Sequence, residues 1–203
     1  NAELIIDHAW GWEPCTIDKT KAYKPESNSF SRGQVLTCAY DVKKARVVIQ
    51  EMADAIALDL VDKHLVTDQL VINVGYDVES LNGGQYQGEI TIDRYGRKVP
   101  KYAHGTGNLE RYTSSSKAII ETVLSVYDRI VNPDLLIRRL NVTTNHVIRE
   151  EDAKKHVQPV QLDLFTDYEE LERQREEEKA ALAKERKMQE ALLTIKKKFG
   201  RNA

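Results

Sequence analysis

The sequence predicts an α+β fold: a β-α-β-β-α-β order giving a four-stranded antiparallel sheet with two helices on one face, followed by a long C-terminal helix. Three observations carry that expectation. Two segments repeat apolar residues at three- and four-residue steps, the period of a half-buried helix. Four segments alternate with period two or are rich in β-formers. Residues 167–198 hold no Gly or Pro and are dominated by Glu, Lys, Ala, Leu and Arg, the composition of a solvated helix.

Residues 3–27 carry Trp10, Gly11, Trp12, Pro14, Tyr23 and Pro25 without a sustained period, which predicts an ordered but irregular lead-in. Residues 29–40 (SFSRGQVLTCAY) read as the first strand. Asp41 is placed to cap a helix, because its carboxylate can accept from the free N–H groups of the first turn. Ala45, Val48, Ile49, Met52, Ala55, Ile56 and Leu60 then mark one buried face. Residues 68–78 (DQLVINVGYDV) return to period two, with Leu70, Ile72 and Val74 on one side.

Asn82-Gly83-Gly84, Gly88 and Gly96 predict a turn or long excursion before the next strand. Residues 97–106 (RKVPKYAHGT) form that strand, with Pro100 implying an edge or a bulge because it has no N–H to give. Thr113 or Ser114 caps a second helix built on Ile119, Ile120, Val123, Leu124, Val126, Tyr127 and Ile130, and Pro133 stops it. Residues 135–148 (LLIRRLNVTTNHVI) supply the fourth strand. One sheet face is left open. In the final helix, Met188, Ala191, Leu192, Ile195 and Phe199 could dock on the domain or pair with another chain.

The 203 residues suffice for one ordinary domain with extensions. No apolar run approaches the roughly 20 residues that span a bilayer. Neither a basic n-region nor an apolar h-region stands at the start, so the chain reads as cytoplasmic, with no membrane partner. Cys15 and Cys38 have no pairing or metal pattern, and the five histidines are scattered. The abrupt ends around Asn1 and Ala203 suggest a piece of a longer protein. No P-loop, strand-helix GxGxxG, GxSxG or paired carboxylate cluster is present, so no catalytic, metal or cofactor residue is assigned.

Three features could carry function. The 30 basic and 32 acidic residues nearly cancel, for a net charge of −2, but the balance is uneven along the chain. Arg94, Arg97, Lys98, Lys101, Arg111 and Lys117 face only Asp93 and Glu110, and Arg138 and Arg139 stand side by side. One of that pair should point to the open face and the other to the helices or a rim. Phosphate contact is one reading, and a solvated face with internal ion pairs is the other. Second, residues 27–33 (SNSFSRG) are small enough to let a phosphate reach backbone N–H groups, or are simply a loop. Third, the island 161–165 (QLDLF) in a polar tail either docks in a partner's pocket through Leu164 and Phe165 or pins the tail to the domain.

Together AWGWEPCTI (9–17), YKPESNSFSRGQVL (23–36), DQLVINVGYD (68–77), GRKVPKYAHGT (96–106) and LLIRRLNV (135–142) resemble the C-terminal part of Y-family, lesion-bypass DNA polymerases of the UmuC, ImpB, MucB and SamB type. The resemblance implies a lead-in from a thumb over 1–27 and a DNA-binding little finger over 28–150. A flexible segment over 151–166 and a charged helix over 167–203 follow. It matches Ser29, Ser31, Arg32 and Gly33 to a phosphate-binding first strand, His104, Gly105 and Thr106 to a backbone-contacting stretch, and Arg138 and Arg139 to an arginine pair. Lys98 and Lys101 are basic companions on the same region. It makes Gln161, Leu162, Asp163, Leu164 and Phe165 a peptide for the bacterial sliding clamp. The implied partners are duplex template-primer DNA and that clamp. The catalytic carboxylates and their Mg would belong to a palm domain before residue 1, so the chain itself is not an enzyme. The long 83–95 excursion and the extended last helix depart from smaller family members. Two rivals stand beside this reading: an RNA binder on the same plan, weakened by the lack of paired stacking aromatics, and a helix-mediated assembly protein.

Overall fold

A computed structural model of the chain describes residues 2–23, 28–82, 84, 86–153 and 168–200. The lead-in is more regular than predicted. It forms two short helices, α1 (Ala2–Ala9) and α2 (Ile17–Ala22), with the Thr16 hydroxyl capping α2 by accepting from Lys19 N at 3.3 Å. A single turn-capping side chain suffices to start a helix that a window-based period is too long to detect. Neither helix buries a residue, and Trp10 and Trp12 lie exposed.

Strand β1 (Phe30–Tyr40) leads to α3 (Val42–Asp62), whose cap is Asp41, accepting from Lys44 N at 2.8 Å. Strand β2 (Leu65–Tyr76) follows, then a single 3-10 turn over Val78–Leu81 capped by Asp77. The predicted third strand splits in two. Strands β3 (Ile90–Ile92) and β4 (Lys98–Pro100) form a separate ribbon, and β5 (Ala103–Thr113) is the strand that joins the main sheet. Pro100, with no N–H to donate, ends β4 and separates ribbon from sheet. The 83–95 excursion therefore ends in structure: Asp93 holds the ribbon's loop by accepting from Tyr95 N (2.8 Å) and Arg97 N (2.9 Å).

Helix α4 (Ser116–Ile130) is capped by Ser115, one residue beyond the expected Ser114, because β5 runs on to Thr113 and the Thr113 hydroxyl first accepts from Ser115 N. Strand β6 (Ile137–Asn145), the two-residue β7 (Ile148–Arg149), α5 (Glu150–Ala153) and α6 (Tyr168–Phe199) complete the chain.

The main sheet runs β1-β6-β2-β5 with every neighbour antiparallel, and β7 pairs with the start of β2. Hence β1 and β2 are parallel with β6 between them, and β5 and β6 are parallel with β2 between them. Both crossovers are split βαβ units, and both place their helix on the same face. Leu70, Ile72, Val74, Leu140 and Val142 point to that face and are fully buried with Ile49, Ile56, Ile119 and Val123 from α3 and α4. Tyr127 is buried there too, its hydroxyl donating to the Val42 carbonyl at 2.9 Å. Gly105 and Gly107 let α4 approach β5: a Cβ on Gly105 would lie 2.7 Å from Ile130 and 2.8 Å from Val126.

Helix α6 docks on the domain by a polar face. Gln189, only 3% exposed, donates to the Ser114 carbonyl and the Ser116 hydroxyl, both at 2.9 Å. The Glu185 carboxylate accepts from the Ser115 hydroxyl at 2.8 Å and Lys117 N at 3.0 Å, close to the positive end of α4. The apolar residues that sequence offered for docking, Met188, Leu192, Ile195 and Phe199, remain exposed.

Candidate nucleic-acid interface

The face of the sheet opposite the helices is polar and bare. Register brings its residues into rows across the strands. One row is Gly33 (β1), Asn141 (β6), Asn73 (β2) and His104 (β5), and the next is Ser31, Thr143, Val71 and Thr106. Neighbouring side chains hold one another in place. Ser31 Oγ donates to Asn141 Oδ1 at 2.9 Å, and Thr143 Oγ1 donates to Ser31 Oγ at 3.0 Å. His104 Nδ1 meets Asn73 Oδ1 at 2.8 Å. Gln69 accepts from Asn145 (3.0 Å) and donates to Asn108 (3.1 Å). Such a lattice orders its groups before any ligand arrives, which lowers the entropy lost on contact.

The two arginines of β6 part company at a break in strand alternation, since Ile137 and Leu140, three positions apart, are both buried. Ile137 pairs with Tyr76 and Arg139 with Gly75, so Arg138 is the extra residue of a bulge. Arg138 turns to the rim, where Nη1 donates to the Thr37 carbonyl at 3.1 Å and Nε lies 3.6 Å from the Asp77 carboxylate. Arg139 lies exposed on the open face, and its guanidinium has no hydrogen-bond or ion-pair partner among the described residues. Gly75 packs closely beside it: a Cβ there would lie 3.3 Å from the Arg139 Cβ, a tight contact.

The remaining basic residues are mostly neutralised. Arg32 points to the helix side and donates from Nε (3.0 Å) and Nη2 (2.6 Å) to Asp59 of α3. It is therefore not on the surface that carries Ser31 and Gly33. Lys101 pairs with Glu89 at 2.8 Å, which holds its ammonium above the usual lysine range. Arg97 pairs with Asp93 at 2.7 Å, and Arg111 with Glu178. Within the basic stretch, Arg97, Lys101 and Arg111 are thus taken up by internal ion pairs. Lys98 and Arg94 on the ribbon and Lys117 in α4 join Arg139 as side-chain cations without a partner among the described residues.

Of the other expected site residues, Ser29 is exposed just before β1, and His104 and Thr106 lie on the open face. Gly105 points the other way, into the helix layer, where packing alone accounts for it. Gln161, Leu162, Asp163, Leu164 and Phe165 fall outside the described residues. Sequence reading missed Asn73, Asn141 and Thr143, although polar residues alternating with Leu70, Ile72, Leu140 and Val142 were the available signal.

The ribbon stands beside this face and closes a groove of about 620 Å³ against it, lined by Arg138, Arg139, Asn73 and Asn141 on the sheet side and by Tyr95 and Tyr102 beyond it. Among the described residues no group of three metal-ligating side chains occurs, and no helix is long and apolar enough to cross a membrane.

The impB/mucB/samB family C-terminal domain matches residues 27–164, more than half of the chain. This chain belongs to the impB/mucB/samB family. The matched stretch contains the whole open face and the ribbon, so the candidate surface lies inside the family domain rather than in the flanking helices. Among solved structures, one described as the insertion ternary complex of Dbh DNA polymerase is similar at 11% identity and a TM-score of 0.35. That match takes in 64% of this chain and 33% of the polymerase chain. No curated protein matches.

Proposed function

We propose that the chain is the DNA-gripping, clamp-tethering C-terminal part of a translesion DNA polymerase, with residues 28–150 acting as its little finger. The observation that supports this best is the open, hydrogen-bonded polar face carrying Arg139, which has no partner among the described residues, in a chain of this family. Arg139 supplies a forked cation for a phosphate, with Ser31, Thr143 and the Gly33 backbone as neutral contacts. None of these reads a base edge through a fixed donor-acceptor pattern, so the grip follows backbone shape and tolerates damaged bases. Gln161 to Phe165 fit a sliding-clamp peptide, with Leu164 and Phe165 as apolar anchors. Tethering raises local concentration and makes release from DNA recoverable. Nucleotidyl transfer and its Mg belong, on this reading, to a palm domain of the same polymerase.

Filter binding of the full chain to duplex DNA and to single-stranded RNA tests the reading. Preference for the duplex is expected, and preference for the RNA overturns it. Replacing Leu164 and Phe165 with Ala should abolish capture by the clamp while leaving duplex affinity unchanged. Undiminished clamp capture by that variant sinks the peptide assignment.

A further inference from the structure

The β3-β4 ribbon adds no strand to the main sheet, yet its loop brings Tyr95 to the groove, and the link from β4 to β5 brings Tyr102. Tyr95 is 73% exposed and Tyr102 56% exposed. Tyr95 is also held. Arg97 Cζ lies 5.2 Å from its ring centroid, and Asp93 pins Arg97 through Nε at 2.8 Å and Nη2 at 2.7 Å while fixing the loop backbone. A ring already positioned by a cation and a bound loop is a stacking platform with little ordering left to do.

The groove's charge and polarity point the same way. Asp93 and Asp77 are engaged by Arg97 and Arg138, and the Glu79 carboxylate has no partner among the described residues. Against it stand Arg94 and Arg139, both without partners among the described residues, so the free charge is positive. At the sheet side the Asn73 and Asn141 oxygens are occupied by His104 and by Ser31, while their amide nitrogens have no acceptor among the described residues. Aromatic faces, free amide donors and unpaired guanidinium groups in one groove are the combination that an unpaired nucleotide satisfies.

We propose that this groove takes an unpaired nucleotide of a DNA strand, its base stacked on Tyr95 and Tyr102 and its phosphate on Arg139 and Arg94. The inference rests on the DNA-binding reading above and adds to it a single-stranded substrate class. It assigns the ribbon to holding a base displaced from, or not yet entered into, the duplex.

The test compares the full chain on a blunt duplex and on the same duplex with a short single-stranded overhang carrying a fluorescent purine analogue. The overhang should tighten binding roughly tenfold and quench the analogue, as one stacked base does. Tyr95→Ala combined with Tyr102→Ala should remove both the gain and the quenching without weakening blunt-duplex binding, and the double Phe variant should keep both. Both tyrosines are exposed on the surface, so neither change opens the core. Equal affinity for the two DNAs without quenching overturns the nucleotide site while leaving duplex binding standing. A gain and quenching that survive in the double Ala variant overturn it as well, and absence of any DNA binding defeats both readings.

Discussion

Arg139→Ala separates the open face from the rest of the basic surface. Its guanidinium is exposed and has no partner among the described residues, so the substitution breaks no internal ion pair and opens no cavity. What it removes is one candidate phosphate contact. A charge-assisted contact at an exposed site is worth about 1 kcal/mol after solvent screening, which is roughly fivefold in affinity. Each phosphate neutralised contributes about 0.9 to the slope of log affinity against log salt. Over a fourfold rise in salt, the parent should therefore lose roughly 3.5-fold more affinity than the variant. Arg138→Ala is the matched control. That side chain is already committed to Asp77 and the Thr37 carbonyl, so its loss should leave the slope nearly unchanged and lower stability by about 0.5–1 kcal/mol. Fluorescence anisotropy on duplex DNA across a salt series measures both. An unaltered slope for Arg139→Ala, or equal slope losses for the two variants, would refute the division of the pair into one contact and one brace.

Three other outcomes follow from the packing. Gly105→Ala places a methyl group 2.7 Å from Ile130 and should destabilise the domain by about 1–3 kcal/mol in urea titration, and an unchanged midpoint would contradict the close approach of α4 to β5. Gln189→Ala removes two hydrogen bonds from a buried site and should speed amide exchange and proteolytic cleavage in α6 while sparing α3 and α4; protection equal to the parent's would show that α6 does not depend on that latch. The Arg46 guanidinium beside Asp128 holds that carboxyl below the usual aspartate range. A lowered folded-state value means the link between α3 and α4 is complete above the unfolded aspartate value and is lost as pH falls through the lower, folded one. Asp128→Asn should thus flatten the acid limb of the stability curve, and an identical limb would dismiss the pair as a contributor.

How far the fold was legible depends on the range of the forces that set each part. Apolar period and capping chemistry act between residues a few positions apart, so α3, its Asp41 cap, the buried triplet Leu70, Ile72 and Val74, and the span of α6 were all readable. Alternation also predicts that Arg138 and Arg139 diverge, although the bulge of β6 is what turns Arg138 to the rim. The short helices α1 and α2 escaped because they are briefer than a detectable period, and the third strand was displaced because Pro100 could mark either an edge or an end.

By itself the sequence determined the two core helices, the order of helices and strands around them and the sidedness of β2, since these follow from steric and hydrogen-bonding preferences of near neighbours. Tertiary structure alone decided which strands stand side by side, and with that the composition of the site. Ser31 reaches Asn141 across 110 positions, and Arg32 is drawn off to Asp59 while Arg139 has no partner among the described residues. Ion pairing of this kind depends on register and helix placement, which arise from burying one common core. The ribbon's place beside the open face has the same origin, and it turns a loop excursion into one wall of a groove.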